Sequence, residues 1–245
     1  MDRHHLAAAP ASPAGPQELQ GLATALASAL DASAEERQRG EEYLQAAAAS
    51  PSFCPSLLAL THMSSQLPDP LRLLAATQLK NETVRLWRRG AHGSRASDRD
   101  AMRAALIFRL SEPESCEPVG VQIAVAVARV MRSEANAGEA TVLQAFSGLL
   151  ARTDPPDHAL LALLYTTEEL PMRLPAQHRL AARIGHVMLG FVGPMWEAAL
   201  AHVTASAAEL TSTLPIRTSV LRSKLLRQLI ALAAIEDVCA CRVRG

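Results

Sequence analysis

The sequence predicts an all-α fold: a right-handed superhelical solenoid of HEAT-type helix pairs. Three observations carry that reading. Apolar residues recur at 3,4 spacing along most of the chain, the signature of helices with buried stripes. Ala and Leu dominate and only eight aromatics occur, a composition that favours helices over sheets. Predicted helix pairs begin near Pro16, Pro51, Ser97, Glu139 and Pro175, roughly every 35–45 residues, the period of two-helix repeats. Each such unit buries its faces only against its neighbours, so the stack grows into a superhelix. The alternative is a compact bundle, which would need fewer and more regular helices.

The elements follow in order. Residues 1–15 are Ala/Pro-rich and read as a disordered start. From Pro16, Leu19, Leu22, Ala23, Leu26 and Leu30 mark a first helix. Ser33 and Glu36 form a predicted capping box that opens a second, through about Ala49, with Tyr43 and Leu44 inward. Pro51 starts a third with Phe53, Leu57, Leu58 and Leu60. The fourth runs from Leu71 to Arg89, bracketed by Pro68-Asp69-Pro70 and Gly90. After a polar loop, a helix near Ser97–Leu110 carries Ala101, Ala105, Leu106 and Phe108. The segment from about Pro118 to Arg132 has valines that would suit a buried strand, but its length and alanines favour a buried helix. A seventh helix is predicted from Glu139, an eighth from Pro155-Pro156 through Leu170, a long one from Pro175 to about Val203 and a last after Pro215.

The fourth helix is unusual in having apolar residues on both flanks. Leu71, Ala75, Leu79 and Leu86 share one arc, and Ala76, Trp87, Leu73 and Val84 extend it past half the circumference. Thr77, Asn81, Arg85 and Arg88 form the narrow polar stripe that remains. An ordinary surface helix has a single apolar stripe, so this one fits between two neighbours and leaves an edge for a partner. A solvated repeat edge is the plainer reading of the stripe. Gln122, Arg129 and Arg132 make the equivalent strip in the next repeat, with a bond of Gln122 within the array as the alternative for that residue.

Composition excludes several classes of function. The formal net charge is zero, so no global field draws the chain to nucleic acid or to an anionic membrane. No apolar run reaches the roughly 18–20 residues of a membrane span. The start has Asp2 and prolines where a secretory leader needs an apolar core. Cys54, Cys116, Cys239 and Cys241 form no Cys-x-x-Cys pair, which suits free thiols in a reducing compartment. There is no glycine-rich phosphate loop, metal-spaced His cluster or nucleophile elbow, so neither an enzyme nor a cofactor is expected.

The order of the pieces carries a family resemblance. Glu41-Glu42-Tyr43-Leu44 precedes Pro51-Ser52-Phe53 and LLAL. LAATQLKN with Trp87-Arg88-Arg89 follows, then LIFRLSEP and VQIAVAVARV. This succession resembles the N-terminal domain of the importin-β (karyopherin-β) family, at about residues 33–112, within N-terminal repeats spanning 16–238. The later segments DHALLALLYTTEELPMRLPAQHRLAARI and TSVLRSKLLRQL look most like the importin-eleven branch.

The resemblance implies a nuclear transport receptor, shuttling between nucleus and cytoplasm through the nuclear envelope. Its N-terminal repeats would bind Ran-GTP through their second helices. Its outer helices would offer slots to phenylalanine-glycine nucleoporins, and protein cargo would bind outside this segment. No nucleic acid and no membrane insertion are implied. Carried onto this sequence, the candidate Ran contacts are Thr77, Lys80, Asn81, Arg85, Arg88, Gln122 and Arg129. Lys80 and Asn81 match the family's Leu-Lys-Asn motif, although Lys80 can equally lay its stem along the apolar surface. Trp87 reads as core, and Phe53 and Leu57 could help form a nucleoporin slot but more simply pack inward.

Two departures are visible. Ser133-Glu134-Ala135-Asn136-Ala137-Gly138 stands where the family has an acidic residue, a proline and a tryptophan, so an altered turn is expected there. The chain ends at VCACRVRG after about five repeats. It therefore reads as a fragment with an unstructured tail at 239–245. Import is the expected direction. The alternatives are an exportin of the same family, or a repeat scaffold indifferent to nucleotide state.

Overall fold

The computed structural model describes residues 15–87, 96–136, 142, 157–168 and 224. Outside them lie the Ala/Pro-rich start, Arg88, most of the helix expected from Glu139, the helix from Pro175, nearly all of the last helix, and the tail with Cys239 and Cys241. The chain divides into two units, Met1–Val130 and Met131–Gly245.

The first unit is built from α1 (Pro16–Ala29), α2 (Ala34–Ala47), α3 (Phe53–His62), α4 (Asp69–Trp87), α5 (Ala96–Ser111) and most of α6 (Glu117–Asn136). Pro16 stands in the first turn of α1, where its missing N–H costs nothing. Leu22, Ala23, Ala25 and Leu26 are the buried face of that helix. The α2 helix is polar on most of its surface and buries only Gly40 and Leu44. Gly40 is there for proximity: a Cβ on it would lie 2.5 Å from the Ala29 amide nitrogen and 2.6 Å from the Ala25 carbonyl oxygen. The two helices therefore touch backbone to backbone.

Two expectations for α2 are corrected. Tyr43 does not point inward but is 44% exposed. Its ring lies across α1 so that the phenol oxygen occupies the space beside Gly21, 2.6 Å from where a Cβ would be. The close approach at Gly40 leaves no room for an aromatic between the helices. The capping box is only half formed. Ser33 Oγ accepts from the Glu36 N–H at 3.5 Å, but the Ser33 N–H donates to Asp31 Oδ1 at 2.8 Å and Glu36 pairs with Arg39. Asp31, two residues away, is nearer than the third residue of the helix and takes the bond.

The α3 helix is the apolar centre. Phe53, Leu57, Leu58 and Leu60 are buried, as their spacing predicts, together with Cys54, Ser56 and Thr61. Ser52 Oγ donates to Glu18 Oε1 at 2.6 Å and ties the start of α3 back to α1. Burial, then the charge of Glu82, pushes the Cys54 thiol up to about 12, against the opposing pull of Arg85. Thiolate is the reactive species. Cys54 should therefore resist iodoacetamide in the native chain at pH 8 while the partly exposed Cys116 is modified, and peptide mapping by mass spectrometry checks it.

On α5, Ala101, Met102, Leu106 and Leu110 are buried, whereas Phe108 is 59% exposed and stacks on His62 at 6.3 Å between ring centroids. The segment at Pro118 onward is the helix expected rather than a strand, and Val119, Ile123, Ala124, Ala126, Val127, Ala128 and Val130 are buried along it. It also runs on through Ser133–Asn136, where a turn was expected. In the second unit, Glu134 is buried there and accepts the Val142 N–H at 2.9 Å. The helix α7 (Asp157–Glu168) buries Ala159 through Leu164 without interruption, as a helix enclosed on all sides does. Its Thr166 hydroxyl donates back to the Ala162 carbonyl at 2.7 Å.

Candidate protein-interaction face

The α4 helix decides what the candidate face looks like. Pro70 sits in its first turn, and the Leu71 and Arg72 amides close on the Pro68 carbonyl. Its buried line is Arg72, Ala75, Ala76, Leu79, Thr83 and Trp87. Leu71, Leu73, Val84 and Leu86, placed on the apolar arc from sequence, are only half-buried, and the arc is rotated towards Arg72 and Thr83. Trp87 is core, as expected, with the Arg103 guanidinium 5.9 Å from its ring centre.

On the opposite side, Asn81 and Arg85 are exposed and Thr77 and Lys80 half-buried. Thr77 and Arg85 are engaged within α4 itself. The Thr77 hydroxyl donates back to the Leu73 carbonyl one turn earlier at 2.8 Å, so its donor is spent within its own helix. Arg85 Nη1 bonds both oxygens of Glu82, at 3.0 and 2.9 Å, with its own side chain 48% exposed. On α6, Gln122 and Arg129 are half-buried. Arg129 Nη1 donates to the Lys80 carbonyl at 3.2 Å, which sets the α4 and α6 candidates beside each other. Gln122 Oε1 is enclosed and has no hydrogen-bond partner among the described residues. Arg88 lies outside the described residues. Phe53 and Leu57, considered for a surface slot, are 3% and 0% exposed and belong to the core.

An ionic cluster lies at the other end of the same helices. Arg72 donates through Nε and Nη2 to the Thr61 carbonyl at 3.1 and 3.0 Å, through Nη1 to Asp69 at 2.7 Å, and through Nη2 to Glu114 Oε2 at 2.6 Å. Arg109 Nη2 bonds the same Glu114 oxygen, while Glu114 Oε1 accepts the Cys116 N–H at 2.7 Å. The Arg72, Arg109 and Glu114 side chains are 2%, 4% and 2% exposed. Burial works against the Glu114 charge, but the bonds from Arg72 and the Cys116 N–H, with the charge of Arg109, outweigh it and hold the carboxyl below the usual carboxylate range. Burial likewise opposes the Arg72 charge, and the bonds to Glu114 and Asp69 raise its pKa regardless. At His62, burial and then the charge of Arg109 lower the imidazole pKa.

This cluster escaped the sequence reading. The one local signal was Asp69 and Arg72 at i,i+3, a spacing common on solvated helix starts. Among the described residues, no group of His, Cys, Asp and Glu is arranged to hold a metal ion, and no helix is long and apolar enough to cross a membrane.

Residues 40–110, from Gly40 on α2 to Leu110 on α5, match the importin-beta N-terminal domain family. Among solved structures the chain is similar to the exportin Cse1 in its cargo-free, cytoplasmic state, with a TM-score of 0.68 and 18% identity. That match covers 86% of this chain and 23% of the exportin, so the chain spans under a quarter of the exportin's length. At that identity the likeness is one of fold, a solenoid of HEAT-type helix pairs. No curated protein matches the chain. Residues 40–110 thus carry the importin-beta N-terminal domain pattern, and the fold is that of a HEAT-type helix-pair solenoid such as the exportin.

Proposed function

We propose that this chain is the N-terminal segment of a nuclear transport receptor that binds Ran-GTP and takes part in protein import into the nucleus. The observation that carries the reading is the importin-beta N-terminal domain at 40–110, with the polar side of α4 inside it. In this reading Asn81 and Arg85 supply exposed donors from α4 beside Lys80, and Gln122 and Arg129 extend the face onto α6. Arg85 would exchange Glu82 for an acidic group of the GTPase, since a guanidinium pairs bidentately with carboxylates. Phenylalanine-glycine nucleoporins and cargo complete the set of partners, and the protein shuttles between cytoplasm and nucleus. The importin-eleven branch is supported by the run of residues that includes α7. The fold likeness to an exportin says nothing about direction, and import is our reading.

A second reading is favoured by the internal bonds of Thr77 and Arg85: a repeat scaffold whose stripe is a satisfied surface. The experiment is a pull-down of the whole 245-residue chain with Ran loaded with GTP or with GDP. Preference for the GTP form is expected. Arg85→Glu with Arg88→Glu should weaken it at least tenfold, because two guanidinium contacts are reversed in sign. Equal binding of both nucleotide forms, or none, by a chain shown to be folded by circular dichroism favours the scaffold.

A further inference from the structure

We infer that Glu114 is a positioning residue for the α4–α6 face: the buried Arg72–Glu114–Arg109 cluster and the Arg129–Lys80 bond together hold the two helices in register. The inference rests on the Ran-binding reading for its functional consequence, but not for the clamp itself.

The physical case is one of anchors. Glu114 stands midway in the connection between α5 and α6 and binds Arg72 in the first turn of α4. Arg109, in the last turn of α5, binds the same oxygen, so one carboxylate gathers three elements. The Arg72 fork also takes the Thr61 carbonyl near the end of α3, where the helix leaves an orphan acceptor. This is the first anchor.

The second lies further along both helices, where Arg129 meets the Lys80 carbonyl at 3.2 Å. Arg72 and Lys80 are eight residues apart, about 12 Å along α4, and Arg129 is about 18 Å into α6, at 1.5 Å of rise per residue. A single anchor would leave the helices free to pivot, whereas two well-separated anchors fix both their spacing and their angle. The face formed by Lys80, Asn81, Arg85, Gln122 and Arg129 is read by a partner across both helices, so its geometry depends on the clamp.

Buried ionic contacts are poor sources of net stability but effective at selecting one arrangement, because an arrangement that leaves a buried charge unpaired is costly. A face that is competent only part of the time binds with an apparent affinity reduced by that fraction.

The test compares the wild-type chain with Glu114→Gln, which keeps shape but removes the charge, and Glu114→Asp, which keeps the charge on a shorter stem. Hydrogen exchange on the chain alone reads the clamp. Glu114→Gln should speed exchange at least tenfold more in the first turns of α4 and α6 than in α1 and α2. Affinity for Ran-GTP, measured well below each variant's melting temperature, reads the consequence. It should fall about tenfold for Glu114→Gln and return to within about threefold of wild type for Glu114→Asp. Unchanged exchange in Glu114→Gln overturns the clamp, and faster exchange with unchanged affinity overturns the positioning role. If the wild-type chain binds no Ran, the proposed function falls and the positioning role with it, while the exchange result still decides the clamp. If Glu114→Gln does not fold, Asp69→Asn carries the test, since it releases only the partly exposed arm of Arg72. Two- to threefold faster exchange at the start of α4 is expected there, and no change overturns the inference.

Discussion

Glu114→Gln is expected to lower the chain's resistance to urea by about 3–5 kcal/mol, the scale for removing one partner from a buried ion pair. The neutral amide leaves the Arg72 and Arg109 guanidinium groups, 2% and 4% exposed, facing each other without an anion between them. Circular dichroism during urea unfolding at pH 7 measures the change. A loss under 1 kcal/mol would mean the pair is screened and that surface behaviour applies instead.

The same carboxylate sets a pH dependence. The folded-state pKa of Glu114 lies below its ordinary value, so its contribution is fully present above the unfolded value of about 4.3. It is lost as pH falls from there through the folded value. Between pH 5 and 3 wild type should therefore lose stability faster than Glu114→Gln, which has no proton to take up at that position.

Gly40→Ala is the second large effect expected. Its Cβ would meet backbone atoms of α1 at 2.5, 2.6 and 3.0 Å, and backbone cannot rotate aside as a side chain can. The helices must separate, and overpacking of this kind costs about 1–3 kcal/mol and occasionally more. Alanine's advantage over glycine inside a helix, about 1 kcal/mol, offsets only part of that. Separation would also loosen Leu22, Leu26 and Leu44, the buried leucines of α1 and α2. The thermal midpoint should drop by several degrees. Gly21→Ala provides the contrast, because there the obstacle is the Tyr43 hydroxyl end of a rotatable side chain on the half-exposed surface. If Gly40→Ala proves neutral or stabilising, the helices are not in backbone contact in solution.

Much of the fold was legible because its signals are local. Prolines and the 3,4 spacing placed the starts of α1 through α4 within about two residues, whereas the third helix, expected to run to residue 66, ends at His62. Leu57, Leu79, Leu106 and Ile123 were legible as core for the same reason. The candidate face was legible only in part. Asn81 and Arg85 are as exposed as the wheel implied, but Thr77 turned out to bond back to the Leu73 carbonyl and Arg85 to carry Glu82.

What the sequence determined by itself is therefore the succession of the described helices and the importin-beta N-terminal domain pattern at 40–110. Periodicity, helix breakers and the order of short motifs all survive in one dimension. Tertiary structure alone decided that Arg72 lies inside rather than outside. Its partner Glu114 is 42 residues away, and no rule of helix periodicity brings those two charges together. It likewise decided that Gly40 is a contact, that Tyr43 is displaced by it, and that α4 and α6 meet through a lysine's backbone carbonyl. In each case the deciding quantity is the distance between atoms far apart in the chain, set by how the helices pack and not by what any one helix contains.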